Sequence, residues 1–362
     1  PPPERDYEPL DATAIKAALA PGGPLSRAHA GYEDRPMQRD LAAAIVDAYN
    51  GGGIAVAEAG TGTGKSIAYL VPAIRWAAAN RERTVVSTNT INLQEQLVEK
   101  DLPFLRRALG EPFRFALVKG RRNYVSIRRA HLAAQTAGVL FDERQRVELD
   151  AVMQWLRNTR EGSLQDLPFQ PAAEVWDEVA SESDVCLRAK CPHFEECFYQ
   201  RARRDAASAD VLVVNHHLLF SDLAVRRAQG NYTAQAVLPA YRRVILDEAH
   251  NLEDAATSHL GATVSRRGLL RLLGRLDRRG RGVLSAIEER LKAGRDDLLQ
   301  QDALAQIRDK LRPSVERTRE HVGTFFERLE SLVLAADDGV VRLDADFTSR
   351  PEWTDGLAVS HE

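Results

Sequence analysis

The chain predicts an α/β fold: a parallel sheet with a phosphate-binding loop, interrupted by one mostly helical insertion and followed by a helical subdomain. Three observations carry that prediction. IAVAEAGTGTGKS at 54–66 joins an apolar stretch and a glycine-rich turn to Lys-Ser and the helical run IAYLVPAIRWAAA. RRVILDEAH at 242–250 ends an apolar stretch in two adjacent carboxylates. Between and after these motifs lies more chain than repeated βα units need, at roughly 30 residues each.

The 362 residues allow roughly two or three domains. Hydrophobic residues make up 44% and charged residues 28%, as in an ordinary globular chain. A net charge of −3 means that any nucleic-acid contact must come from local basic patches. No apolar run approaches a membrane span and no signal peptide opens the sequence, so a membrane role is not expected. The three cysteines are clustered, which argues for a metal site or free thiols in a reducing compartment and hence a cytoplasmic protein. The chain opens on Pro-Pro-Pro without a Met and stops at Ser360-His361-Glu362, so it reads as an excerpt of a longer protein.

Residues 1–30 read as a linker with one short amphipathic helix, LDATAIKAALAPGG, stopped at Pro21-Gly22-Gly23. Pro36 fits the first turn of a second helix that ends at Gly51. Arg35 and Gln38 at its start are candidate nucleotide contacts. Ile54 to Glu58 is expected to be a buried strand feeding the loop Ala59, Gly60, Thr61, Gly62, Thr63 and Gly64. Such a loop turns backbone N–H groups inward around a polyphosphate, and the following helix N-terminus adds partial positive charge. Lys65 would bridge the β- and γ-phosphates of ATP, and Ser66 would ligate Mg²⁺. Ala59 stands where the strict GxxxxGK[ST] pattern has its first glycine.

TVVS at 84–87 reads as the next strand, and Thr88, Asn89 and Thr90 open the helix INLQEQLVEKDLPFL. Thr90 or Asn89 suits its N-cap, and all three residues are candidate contacts to a phosphodiester backbone. FALVK at 115–119 is a further strand. In the GRRNYVSIRRA segment after it, Lys119, Arg121, Arg122, Arg128 and Arg129 surround Tyr124. Basic side chains interleaved with an aromatic suit single-stranded nucleic acid, although a solvated charged face is the plain alternative. The insertion is bounded at 120–205, and it carries Cys186, Cys191 and Cys197 as C-x4-C-x5-C. A zinc ribbon has shorter spacings and a second pair, while an all-cysteine cluster needs one more sulfur.

ADVLVVNHHLLFSDLA at 209–224 is a strand running into Asn215, His216 and His217. The strand of 242–250 then places Asp247 and Glu248 at its C-terminal end, where open parallel sheets bind ligands. Asp247 would hold Mg²⁺ and Glu248 would polarise the attacking water. From 262 to about 336 charged residues alternate with Leu and Val at helical spacing. VVRLDADF at 340–347 reads as a strand and SRPEWTDG as a turn.

AEAGTGTGKS, STNTINLQEQL, KGRRNY, ADVLVVNHHLLFSDL and DEAHNLED, in this order, resemble the N-terminal half of the DinG/XPD-type superfamily 2 DNA helicases. The resemblance covers roughly residues 30 to 340. It implies a RecA-like motor domain at 31–119 and 206–260, an iron–sulfur domain at 120–205 and an arch domain from 261 to 362, with the second motor domain lying beyond this chain. It also implies ATP-driven, 5′ to 3′ movement on single-stranded DNA and opening of forked duplexes in repair or replication by a monomeric motor. Arg35 and Gln38 would read adenine, Asn215 and His216 would face DNA, and His250 would couple the ATP site to the DNA side. Without the second motor's arginines this piece is expected to hydrolyse ATP poorly. One departure stands out: the family's first cluster cysteine is Ser126 here. A [4Fe–4S] cluster with three cysteines, a zinc site using His193, and no metal at all are the open outcomes.

Overall fold

Four parallel strands form the sheet, in the order β2-β3-β1-β4. They are β1 (Thr84–Thr88), β2 (Phe115–Leu117), β3 (Val211–Asn215) and β4 (Arg243–Leu246). The computed structural model describes residues 7–60, 62–260, 264–277, 282–294, 298–334 and 341. By contacts the chain divides into two compact units, Pro1–Gly261 and Ala262–Glu362.

In the first unit the central strands are apolar on both sides because helices cover both faces. Val86, Val211 and Val213 pack with Leu70 and Ile74 of helix Lys65–Asn80 on one face. Val85, Leu212 and Val214 pack with Ala206, Leu218 and Leu219 on the other. β1 pairs with β3 from Thr84↔Val211 to Thr88↔Asn215, and with β4 from Thr84↔Arg243 to Ser87↔Leu246. The C-terminal ends of three strands therefore arrive at one level.

The strand expected at 54–58 is absent. Residues 53–60 are irregular, and Ile54 and Val56 are 94% and 95% exposed. Among the described residues β4 is the last strand on its side, and it exposes Val244 and Leu246. An apolar run becomes a strand only when a neighbour accepts its backbone hydrogen bonds, and no described strand lies there to do so.

Two buried polar knots fix β4. Glu82 accepts hydrogen bonds from Trp76 Nε1 (2.8 Å), Tyr7 Oη (2.9 Å) and Arg243 Nε (3.0 Å). Burial opposes the Glu82 charge, but these donors outweigh it and hold the carboxyl below its ordinary range. Asp222 accepts from Arg226 Nε (2.6 Å), Leu238 N (2.7 Å) and Tyr241 Oη (2.8 Å), which ties down the loop that enters β4.

The insertion has a core of its own. Tyr124, Val125, Leu149, Val152, Trp176 and Phe198 lie together in it, on helices Ile127–Gln135, Glu143–Leu156, Ala173–Val179 and Phe198–Ser208 and their connections. The second unit is helical in its described parts, with Arg266–Leu276, Val283–Lys292, Leu298–Gln306 and Arg312–Leu334. The strand and turn expected at 340–347 and 349–356 fall outside the described residues, apart from Val341, which is in no regular element.

Candidate nucleotide and thiol sites

The glycine loop is built for close approach. Gly62 and Gly64 have φ of 78° and 76°, which L side chains rarely adopt. A Cβ at Gly64 would collide with the Gln38 amide, whose Nε2 donates to Gly64 O at 2.9 Å. Arg35 lies against the same glycine, so both candidate base contacts are brought to the loop. Thr61 is outside the described residues; Ala59, Gly60 and Thr63 complete the turn, with Thr63 Oγ1 donating to Gly60 O at 2.9 Å.

Helix Lys65–Asn80 then aims its first turn at the end of β4. Lys65 Nζ stands 3.4 Å from Glu248 Oε1, and Tyr69 Oη donates to Asp247 Oδ2 at 3.2 Å. Asp247 N donates to Ser87 O at 2.8 Å, extending the β1 register by one residue. Glu248 has φ of 55°, a left-handed conformation costly for a residue with a Cβ and concentrated at functional sites. Burial and the neighbouring Glu248 charge push the Asp247 carboxyl up, against the pull of Tyr69 and Lys65. His250 is exposed, with Nδ1 3.6 Å from Glu248 Oε2.

Two residues here escape motif reading. Tyr69 donates its phenol to Asp247 beside Ser66, and burial drives its ionisation far above the ordinary tyrosine value. Asp101 lies near Ser66; burial pushes its carboxyl up, and its Oδ2 has no hydrogen-bond partner. Asp101 ends a π-helical turn, Gln96–Asp101, inside the helical run. Pro103 explains the widened turn, since its ring clashes with the carbonyl four residues back. The signal was Asp-x-Pro within a helix, which local patterns do not connect to Ser66. Ser66 and Asp247 offer hard oxygen donors, the kind Mg²⁺ takes, but among the described residues no three acidic, His or Cys groups close on one ion.

The residues expected to face nucleic acid are mostly engaged inside the protein. Tyr124 is buried at 5% exposure and meets Tyr199 edge-on (6.0 Å between ring centroids), and burial pushes its phenol up to about 12. It packs the insertion instead of offering a ring to a base. Arg121 lies 4.0 Å over the Tyr199 ring, and Arg122 pairs with Asp177 and Glu182. Lys119 donates to Ser163 Oγ at 3.0 Å, and Arg129 holds the carbonyls of Ala180 and Asp177. The basic cluster thus knits the insertion together. His216 is buried, with Nδ1 2.8 Å from Ser87 Oγ; burial lowers its basicity despite the facing backbone of Glu248 and Asp247. Asn215 caps helix His216–Gln229 by accepting from Leu218 N at 2.7 Å. Thr90 caps the helix after β1, Thr88 is buried with an unpartnered Oγ1, and Asn89 is half-buried between them.

Cys186, Cys191 and Cys197 are free thiols that line one small pocket of about 30 Å³ with Ser126, Arg129, Glu182 and Phe194. Among the described residues no three His, Cys, Asp or Glu groups close on a single metal ion. His193 is absent from the lining; it stacks on His131 at 5.7 Å and points Nδ1 toward Glu196. Burial raises the Cys186 thiol, but the Arg188 N–H (3.4 Å) and the Arg121 guanidinium outweigh it and hold it below its ordinary range.

A glycine loop with its lysine, serine and paired carboxylates at one edge of a parallel sheet defines a P-loop nucleotide-binding domain of the motor class. The DEAD/DEAH box helicase family matches residues 35–158, and the DEAD_2 family matches residues 172–269. The ATP-dependent DNA helicase YoaA of Haemophilus influenzae is 36% identical over 269 residues, 74% of this chain and 40% of the relative. The ATP-dependent helicase DinG of Mycobacterium tuberculosis is 40% identical over 249 residues, 64% of this chain and 36% of the relative. The 3'-5' exonuclease DinG of Bacillus subtilis is 32% identical over 66% of this chain and 24% of the relative. This chain belongs to the DinG-type superfamily 2 helicases, and it spans about two fifths of the length of the YoaA relative. Among the described residues no helix is long and apolar enough to cross a membrane.

Proposed function

We propose that this chain is the ATP-binding motor portion of an ATP-dependent DNA helicase that moves 5′ to 3′ on single-stranded DNA and opens forks. The observation that carries the reading is the meeting of Lys65 with Glu248, and of Tyr69 with Asp247, beside the glycine loop. In it, the loop N–H groups and Lys65 hold the triphosphate, Arg35 and Gln38 flank the base, and Glu248 orients the attacking water. Mg²⁺, bound by Ser66 and Asp247, would neutralise charge on the phosphates. His216, at the end of β3, bonds Ser87 of β1, whose carbonyl accepts from Asp247 N, so a shift in β3 or β1 on DNA would be felt at Asp247. Asn89 and Thr90, at the C-terminal end of β1, reach the surface and are the better-placed contacts to a DNA backbone, whereas Thr88 is buried.

The cysteine cavity supports an iron–sulfur cluster held by Cys186, Cys191 and Cys197. Such a cluster would supply a rigid staple, and the chain's arginines around it would balance its negative charge. Reduced thiols and a bacterial helicase family support a cytoplasmic location, and nothing in the fold asks for more than one copy at the site. The test is DNA-stimulated ATP hydrolysis and strand separation by the full-length protein, on substrates with a 5′ or a 3′ tail. Unwinding of the 5′-tailed substrate alone is expected. ATP hydrolysis without separation of either substrate would make the protein a translocase instead.

A further inference from the structure

Tyr124, the aromatic that the sequence offered to a base, is buried, whereas Tyr232 is 57% exposed. Among the described residues it is the one Phe, Tyr or Trp that stands exposed. It sits on the loop between helix His216–Gln229 and β4, just after Gly230 ends that helix in a left-handed turn. The loop is tied down around it. Arg226 Nη1 donates to Tyr232 O at 2.6 Å, and Asn231 Oδ1 accepts from Thr233 N, Thr233 Oγ1 and Ala234 N, each at 3.1 Å. Two more arginines hold the loop by its carbonyls: Arg203 donates to Val237 O, and Arg83 Nη1 donates to Ala240 O at 2.7 Å. The ring therefore stands on a fixed backbone, so stacking on it costs little ordering entropy.

The charge around this loop has one sign. From Leu223 to Leu246 the sequence contains no Asp or Glu. Asp222 answers Arg226, and Glu82 answers Arg242 and Arg243. Arg83 and Arg203 aim their donors at neutral carbonyls, which leave a guanidinium its full charge; Asp210 acts on Arg83 only from farther off. Arg227, in the last turn of helix His216–Gln229, is exposed. Among the described residues none of these three is in ion-pair contact with a carboxylate. A fixed, exposed ring among uncompensated cations matches single-stranded nucleic acid, which is gripped by charge on its phosphates and by stacking on its bases. An acidic peptide would meet the charge and leave the ring without a flat partner.

We infer that the loop of residues 230–242 is a second contact for single-stranded DNA, with Tyr232 under a base and Arg227 on a phosphate. The inference rests on the helicase reading given above. Arg83 precedes β1, helix Phe198–Ser208 precedes β3 and Ala240 precedes β4, so this surface lies at the strand starts. Asn89 follows β1 and Asp247 follows β4, so the nucleotide and the first DNA contact lie at the strand ends. A strand held at both edges leaves the nucleotide site untouched.

The experiment uses the full-length protein with Tyr232→Ala, Tyr232→Phe and Arg227→Gln. Binding of a fluorescent thymidine oligomer is followed by anisotropy over a range of salt. An iodouracil-substituted strand is also photocrosslinked, and the adduct is mapped by mass spectrometry. Tyr232→Ala is expected to raise Kd by about fivefold, the low end for one lost stacked base, while Tyr232→Phe, which keeps the ring, binds as wild type. Arg227→Gln should reduce the salt slope of log Kd by about 0.7, as for one phosphate on a single strand. The adduct should fall on Tyr232, and ATP hydrolysis without DNA should be the same in all variants. Wild-type affinity and slope in every variant, with no adduct on Tyr232, would overturn this surface and leave the helicase reading standing. A wild type that binds no single strand would overturn the helicase reading and this surface with it.

Discussion

At the phosphate loop the motif's lysine, serine and paired carboxylates are gathered, yet the stretch that leads into it is unpacked, with Ile54 and Val56 in water. The insertion that carries the thiol pocket has a packed core of Tyr124, Val125, Trp176 and Phe198, while the pocket itself offers three thiols beside hydroxyls and a carboxylate. One site has its chemistry before its scaffold; the other has a scaffold that outlasts part of its chemistry. The contrast follows from where each gets its support. The insertion brings its own core, whereas the loop depends on a neighbour for the exposed side of β4.

The largest effect should come from the donors of the first site. Lys65→Ala is expected to lower kcat for DNA-stimulated ATP hydrolysis by about 10²–10³-fold, the scale of one lost electrostatic partner of the transition state. Iron content should not change, and a fall in iron would show that the two sites are not independent. Conversely, Cys191→Ala should empty the cavity of iron while Mg–ATP binding, followed by fluorescent nucleotide titration, stays at the wild-type level. Asp101→Asn should raise the Mg²⁺ concentration needed for half-maximal hydrolysis by about tenfold, as loss of an outer-shell partner does. An unchanged Mg²⁺ dependence would remove Asp101 from the site.

The smallest effect concerns pH. His216 is less basic folded than unfolded, so below the ordinary imidazole range the unfolded chain takes up a proton that the folded one refuses. Stability is therefore present above about pH 6.5 and falls as pH drops, at most by about 1.4 kcal/mol per unit. Urea unfolding between pH 7 and 5 should show a shallower loss for His216→Gln than for wild type.

The motifs that recur at fixed spacing were legible in the sequence: the glycine loop, the carboxylate pair, the apolar strands β1, β3 and β4, and the Ser126 departure. Ser126 lines the cavity where the family resemblance put it. What the sequence concealed were facts of partnership. The run IAVAE has strand composition, but its strand status depends on a neighbour that composition cannot name. KGRRNYVSIRR has the make-up of a nucleic-acid patch, but Asp177, Glu182 and Tyr199, far along the chain, claim its charges. Asp101 and Tyr69 gain their meaning only when helix and π turn bring them to Ser66.

The free side of β4 has a practical consequence for anyone handling this chain. Among the described residues β4 is an edge strand, and with exposed Val244 and Leu246, and the exposed apolar Ile54 and Val56 leading into the phosphate loop, it offers a template for pairing with another molecule. Concentrated solutions are expected to self-associate through it, seen as a rise in scattering with concentration. A lysine at position 56 should blunt that growth, since a charge on an exposed edge is how natural sheets keep apart.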